Sequence, residues 1–211
     1  LAKKLDKPCV NNTFNNRLGI LYLISGPSGS GKTTLCRRAA DEGLAQYAVS
    51  ATTREPREGE VNGTSYHFLS VEDFKVKVDN GDFIEHAKVH ENYYGTLKSE
   101  VLSHLQSGRD IVMDIDVQGA DAIRKIDDEL LKTCMVDLFV MPESEEELES
   151  RLRNRMTDSE DVIQLRLKNS IEEMARWNEY SYLLISGNKD EDYAAFKNTL
   201  LAERRRVSRL K

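Results

Sequence analysis

A glycine-rich stretch, GPSGSGKTT at residues 26–34, limits what this chain can fold into more than any other part of it. Gly26, Gly31, Lys32 and Thr33 satisfy the spacing G-x-x-x-x-G-K-[ST]. The apolar run LGILYLIS at 18–25 precedes it at strand length, and LCRRAA at 35–40 reads as the first turns of a helix. Strand, glycine loop and helix in that order make a cradle for a polyphosphate. Several backbone N–H groups must converge on phosphate oxygens, and glycine supplies the positive φ angles that turn them inward without a Cβ clash. The helix adds the positive end of its dipole. Gly26, Pro27, Ser28, Gly29, Ser30, Gly31, Lys32, Thr33 and Thr34 are therefore the candidate grip on a nucleoside triphosphate. Within it Lys32 reaches the β- and γ-phosphates, and the Thr33 hydroxyl ligates a magnesium ion that bridges them.

The remainder of the sequence continues the alternation that the loop begins. The 211 residues, 39% of them hydrophobic, suffice for one well-buried domain carrying small inserted lobes. A short strand is expected at 47–51, β-like runs at 65–69 and 83–89, and between them a helix capped by Ser70, with Asp73 at the reciprocal position and Gly81 closing it. Helices follow at 97–106 and 118–126 around a strand at 110–115 that ends in Asp114 and Asp116. A strand at 135–141, helices from Ser144 through about Asn154 and from Asp158 through about Tyr180, a strand at 182–185 and a final helix at 192–211 complete the pattern. Ile163, Leu167, Ile171, Met174 and Trp177 read as core positions. Strands alternating with helices behind a phosphate loop predict a mostly parallel sheet covered on both faces, with ligands at the carboxyl ends of its strands.

Charge and cysteine usage narrow the partners. A net charge of -6 argues against general nucleic-acid binding, which needs basic surface. No stretch approaches membrane-spanning length, and Cys9, Cys36 and Cys134 are scattered without paired spacing, which predicts reduced thiols and a cytoplasmic setting. His86 and His90 stand four apart in an extended segment without the HExxH glutamate, so zinc is not expected there. The basic run Arg204, Arg205, Arg206 with Arg209 and Lys211 reads as a solvated helix face. A stiff pair of arginines is more telling. Arg54 and Arg57 flank Pro56, and two guanidinium groups held that way clamp a phosphate dianion, with Tyr66 and Tyr94 as phenolic donors. A phosphate-bearing acceptor is one reading of the cluster; a solvated loop is the other.

Several motifs then converge. GPSGSGKTT, SATTREPREGEVNGTSYHF at 50–68, FIEHAKVHENYYGT at 83–96, VMDIDVQGA at 112–120 and RLRNRMTDSEDVIQLRL at 151–167 together resemble guanylate kinases in order and spacing, over roughly residues 18–200. The resemblance implies a P-loop NTPase-like α/β fold with an inserted mixed α/β GMP-binding lobe and a helical lid. It divides the chain into a flexible extension at 1–17 and one domain at 18–211, with core at about 18–49, 97–142 and 171–211, lobe at about 50–96 and lid at about 143–170. It implies transfer of the γ-phosphoryl group of MgATP to GMP in purine nucleotide metabolism, by a monomer or homodimer without nucleic-acid or membrane partners.

Residue by residue, the resemblance puts the GMP phosphate on Arg54, Arg57, Tyr66 and Tyr94, and the guanine edge on Ser50, Glu85, Thr96 and Asp114. Guanine offers a ring N–H and an exocyclic amine on one edge, and a carboxylate such as Glu85 accepts both. Arg151, Arg155 and Arg166 match lid arginines that join Lys32 in stabilising charge on the transferring group, and Asp116 matches a carboxylate that holds magnesium through water. The ordinary reading of Arg151 and Arg155, one helical turn apart, is a helix face balancing Glu145 to Glu149. Two departures from the family pattern stand out. Asn154 and Met156 flank Arg155 in place of glycines, implying a stiffer lid, and Ser186-Gly187-Asn188 replaces the Asn-Asp pair that meets adenine. A catalytically inactive phosphopeptide-binding relative and a sugar-phosphate kinase are the alternative readings; intact Lys32 and Thr33 disfavour the first, and Ser50, Glu85 and Thr96 the second.

Overall fold

Neighbouring residues of the first apolar run point to opposite faces, and each face finds its own helices. The computed structural model describes residues 17–89, 91–153 and 160–209. The first half of the chain runs β1 (Leu21–Ser25), α1 (Lys32–Asp41), β2 (Gln46–Tyr47), β3 (Ser50–Thr52), β4 (His67–Phe68), α2 (Val71–Asp79), β5 (Phe83–Val89), β6 (Asn92–Leu97) and α3 (Lys98–Gln106). It continues through β7 (Ile111–Asp114), α4 (Val117–Arg124), α5 (Glu129–Cys134), β8 (Met135–Pro142), α6 (Glu145–Arg153), α7 (Glu160–Met174), β9 (Tyr182–Ser186) and α8 (Lys189–Glu203). Five strands form a parallel sheet in the order β2-β7-β1-β8-β9, with Leu21 between Ile111 and Met135. Ile20, Tyr22 and Ile24 pack with Leu35, Cys36 and Ala39 of α1 and Tyr193, Phe196 and Leu200 of α8. Leu21 and Leu23 pack on the other face with Val101 and Leu105 of α3, Ala120 and Ile123 of α4 and Leu131 of α5. Each leucine, isoleucine, valine and phenylalanine among them contributes about 1.5–3 kcal/mol by leaving water, which is what holds helices to both faces. The sheet grows in both directions from β1, so the crevice at its carboxyl end is where a ligand is expected.

A second, four-stranded sheet, β4-β3-β6-β5, stands beside this crevice. Its small core stacks Phe74 of α2 on Phe83 at 4.4 Å and on Tyr93 at 5.5 Å between ring centres. Ser70 caps α2 as the sequence predicts, accepting from the Asp73 backbone N–H at 3.0 Å, and Gly81 follows at φ 71°. The β5–β6 pairing carries an irregularity between Phe83 and Glu85: Phe83 lies opposite Leu97, yet Glu85 lies opposite Thr96. Ser50 lies opposite Thr96 from the other side, so three strands bring Ser50, Thr96 and Glu85 into one row.

Several expectations need correction. The single strand at 47–51 is two: β2 belongs to the parallel sheet and β3 to the second sheet, with the chain changing sheets at Ala48 and Val49. Helix α5 has no strong periodic signature and was not anticipated; Asp128 caps it, accepting from the Leu131 N–H at 3.0 Å. The helix expected to run to Tyr180 stops at Met174 and gives way to a 3₁₀ turn at Trp177–Glu179. Ile163 is buried on it, but Ile171 and Trp177 are exposed, not core. The final helix begins at Lys189, where Asn188 caps it, and ends at Glu203 before a 3₁₀ turn at Val207–Arg209. Its basic run is not a solvated face throughout, because Arg209 is 2% exposed and Arg204 donates to buried Asp110 at 2.7 Å. Arg17, expected in the loose extension, grips Asp110 with two hydrogen bonds of 2.7 and 2.8 Å. The rest of that extension, 1–16, lies outside the described residues, as does His90.

Candidate active site

The phosphate loop follows β1 directly, and its backbone admits no side chain where it meets the next strand. A Cβ on Gly26, which sits at φ 137°, would lie 2.2 Å from the carbonyl oxygen of Val140 in β8. Gly31, at φ 99°, opens α1, and no side chain caps that helix. Its first N–H groups are thereby left to a ligand in the crevice. A cavity of about 330 Å³ lies there, walled by the loop, Asp114, Asp116 and Glu173. Lys32 Nζ donates to the Gly26 and Pro27 carbonyls at 2.6 and 2.8 Å. Burial pushes its pKa down, opposed by the charges of Glu173 and Asp114. Ser28, Gly29, Thr33 and Thr34 also line the cavity, and Ser30 is fully buried behind it.

The acidic pair at the end of β7 divides its duties by geometry. Asp114 takes hydrogen bonds on both oxygens, from the Thr33 hydroxyl and from the Tyr47 phenol. Asp116 caps α4, accepting from the Gly119 N–H at 2.7 Å, and faces the same cavity. A third carboxylate, Glu173 of α7, completes that wall; burial pushes its pKa up, and the Lys32 charge opposes the shift. Neither Tyr47 nor Glu173 was singled out from the sequence. Glu173 lies seven residues beyond Arg166, the spacing that puts both near one helix face, which was the available signal. Tyr47 offered none.

The row Ser50, Thr96 and Glu85 faces a small cavity of about 20 Å³ whose other wall includes Asp114. Thr96 donates to Glu85 Oε1 at 2.9 Å and lies 3.4 Å from the Ser50 hydroxyl. Burial raises the Glu85 pKa, and the Thr96 hydrogen bond partly offsets the rise. In the loop before β4, Arg54 donates to both oxygens of Glu60 at 2.8 and 3.0 Å, and its guanidinium lies 5.5 Å from the Tyr66 ring centre. Tyr66 and Tyr94 meet edge to face at 6.2 Å, so Arg54 and the two tyrosines form one cluster. The Arg57 side chain is exposed in the same loop, and its backbone N–H also goes to Glu60, at 2.7 Å.

Of the three lid arginines, the structure brings Arg151 to the loop. Its guanidinium reaches the Ser186 hydroxyl at 3.0 Å and the Ser186 carbonyl at 3.1 Å, and it pairs with Glu147 at 2.5 Å. Arg153 on the same helix pairs with Glu149 at 2.7 Å. Arg151 also walls a cavity of about 270 Å³ between the phosphate loop, Ser186 and Gly187. Gly187 lies there beside the exposed Glu143 carboxylate, which would have to swing aside for a larger residue. Arg166 is half-buried on α7, outside the walls of either cavity, and Arg155 with its flanking Asn154 and Met156 lies outside the described residues. No described helix is long and apolar enough to cross a membrane.

Comparison with known proteins agrees with this geometry. The family model for guanylate kinase matches residues 19–203. A guanylate kinase of Bartonella henselae is 44% identical over 189 residues, covering 90% of this chain and 83% of that protein. One of Hydrogenovibrio crunogenus is 45% identical over 187 residues, covering 88% and 89%. The crystal structure of guanylate kinase from Anaplasma phagocytophilum superimposes with a TM-score of 0.72 at 28% identity, covering 92% of this chain and 90% of that one. With a family match across the whole described core and a phosphate loop facing a second pocket, this chain belongs to the guanylate kinase family.

Proposed function

We propose that this protein transfers the γ-phosphoryl group of ATP to GMP, giving ADP and GDP for purine nucleotide metabolism, with the donor phosphates on residues 26–34 and the acceptor in the lobe at about 50–96. The observation that carries this reading is that the phosphate-loop cavity and the Ser50, Glu85 and Thr96 pocket share one wall, Asp114. Glu85, with Ser50, Thr96 and Asp114, reads the guanine edge; Arg54, Arg57, Tyr66 and Tyr94 take the acceptor phosphate, with Glu60 released from Arg54 as GMP arrives. The acceptor phosphate oxygen attacks the γ-phosphorus in line, the bond to the β–γ bridging oxygen breaks, and ADP leaves with that oxygen. No protein nucleophile is needed; alignment and charge stabilisation do the work.

Lys32 holds the β- and γ-phosphates as they separate. The lid at about 143–170 closes Arg151, Arg155 and Arg166 over them and excludes water that would otherwise hydrolyse ATP. The hydroxyl of Thr33 and the carboxylate of Asp116 are hard oxygen donors facing one cavity, which fits magnesium held by Thr33 directly and by Asp116 through water. When bound, the ion neutralises charge on the phosphates. Cys36 is a buried free thiol, which supports a reducing, cytoplasmic setting.

The test is a coupled ADP-release assay comparing GMP, AMP, UMP, a ribose bisphosphate and no acceptor. GMP alone is expected to accelerate release. Lys32→Ala should lower turnover by about 10²- to 10³-fold, the loss typical of removing one electrostatic stabiliser, with an unchanged circular dichroism spectrum. Equal rates with and without GMP, or wild-type turnover by Lys32→Ala, would overturn the reading.

A further inference from the structure

Tyr47 has no part in the reaction as described so far, yet its hydroxyl is committed to the one carboxylate that both cavities share. It ends β2, beside Val112 of β7, and three residues later the chain begins the second sheet at Ser50. The phenol donates to Asp114 Oδ1 while Thr33 donates to Oδ2. The ring is half-buried against the main core, and the Arg37 guanidinium of α1 lies 5.3 Å from its centre. Asp114 is therefore held from two sides, by the helix that carries the phosphate loop and by the strand at the root of the lobe. A carboxylate with one partner is free to turn about its terminal bond, which is broad and soft; two partners on separate rigid elements remove that freedom.

We propose that Tyr47 is a positioning residue for phosphoryl transfer, fixing Asp114 in the one rotation that serves the phosphate loop and the Ser50, Glu85 and Thr96 pocket together. Burial and the Asp114 charge push the phenol's pKa up, so the hydroxyl keeps its proton and donates across the working pH range. Arg37 supports the ring from its face, and removing the hydroxyl leaves that contact and the core packing in place. The inference rests on the phosphoryl-transfer reading.

Four proteins test it: the wild type, Tyr47→Phe, Asp114→Ala and the double variant, each assayed for GMP-dependent ADP release and for its thermal unfolding midpoint. Tyr47→Phe should lower kcat about tenfold, the effect of losing one hydrogen bond to a charged group. It should also raise KM for GMP, because Asp114 walls that pocket, and raise KM for ATP less, because Thr33 still holds the other Asp114 oxygen on the phosphate-loop side. In the Asp114→Ala background the second substitution should add less than about twofold, since its only target is gone. Asp114→Asn replaces Asp114→Ala if the latter does not fold. Turnover by Tyr47→Phe within about twofold of wild type, or losses that multiply in the double variant, would overturn the inference. A wild type that ignores GMP would instead bring down the phosphoryl-transfer reading, and this inference with it.

Discussion

Glu85 shows how a binding requirement opposes stability at a single side chain. Its carboxylate is half-buried beside Thr96, and burial lifts its pKa from 4.5. A raised folded-state pKa means that its favourable contribution to stability is present below the unfolded value and is lost as pH rises through the folded one. At neutral pH the ionised group therefore costs stability, yet in the proposed function only the ionised form accepts both donors of the guanine edge. Two outcomes are expected. KM for GMP should rise on acidification as the Glu85 carboxyl takes up its proton, and that rise should be absent in Glu85→Gln, read from steady-state kinetics of both proteins across the acidic range; the same profile in both would contradict the assignment. Glu85→Gln should lower kcat/KM for GMP by about 10²-fold or more, through loss of charge-assisted hydrogen bonds, while leaving the thermal midpoint at pH 7–8 unchanged or higher. Arg54, Glu85 and Thr96 were legible because their motifs are local in sequence. Tyr47 was not, because it meets Asp114 across 67 positions and nothing near either residue announces the pairing.

Elements with a strong local signature appear where the sequence puts them, and those decided by packing do not. The capped helix α2 and the strand β5 match their expected bounds closely because Ser70, Gly81 and the flanking turn residues act within a few positions. The sheet change at Ala48 and Val49 and the register shift before Glu85 have no local signature in the sequence, and both help to line up Ser50, Thr96 and Glu85. The C-terminal segment makes the same point. Five basic residues look alike in sequence, yet Arg209 is buried and donates to Glu203 Oε2 at 2.6 Å, while Tyr182 donates to Oε1. Burial pushes the Glu203 pKa up, but these two donors more than offset it and hold the carboxyl below its ordinary value. The Leu18 N–H donates to the Arg209 carbonyl at 3.1 Å, tying the last turn to the entry of β1. Arg209→Ala should thus destabilise the protein by about 3 kcal/mol in urea titrations, because it strands a buried carboxylate, whereas Arg209→Met with Glu203→Leu should recover most of that loss. Equal stability of Arg209→Ala and wild type would show that Glu203 finds water instead.

Seen together, the two sheets set the phosphate loop and the Ser50, Glu85 and Thr96 pocket on either side of Asp114, and carboxylates hold two arginines of the proposed site. Glu60 holds Arg54 and Glu147 holds Arg151, at 2.8 and 2.5 Å. In the proposed function substrate phosphates take the place of both carboxylates, which would make substrate binding and the assembly of the reactive centre one event. The account stands or falls on where the phosphorus goes. In a ³¹P NMR time course of the purified protein with ATP, GMP and magnesium, GMP should convert to GDP in step with the appearance of ADP, without inorganic phosphate. Release of inorganic phosphate with GMP untouched, or no change in either nucleotide, would contradict it.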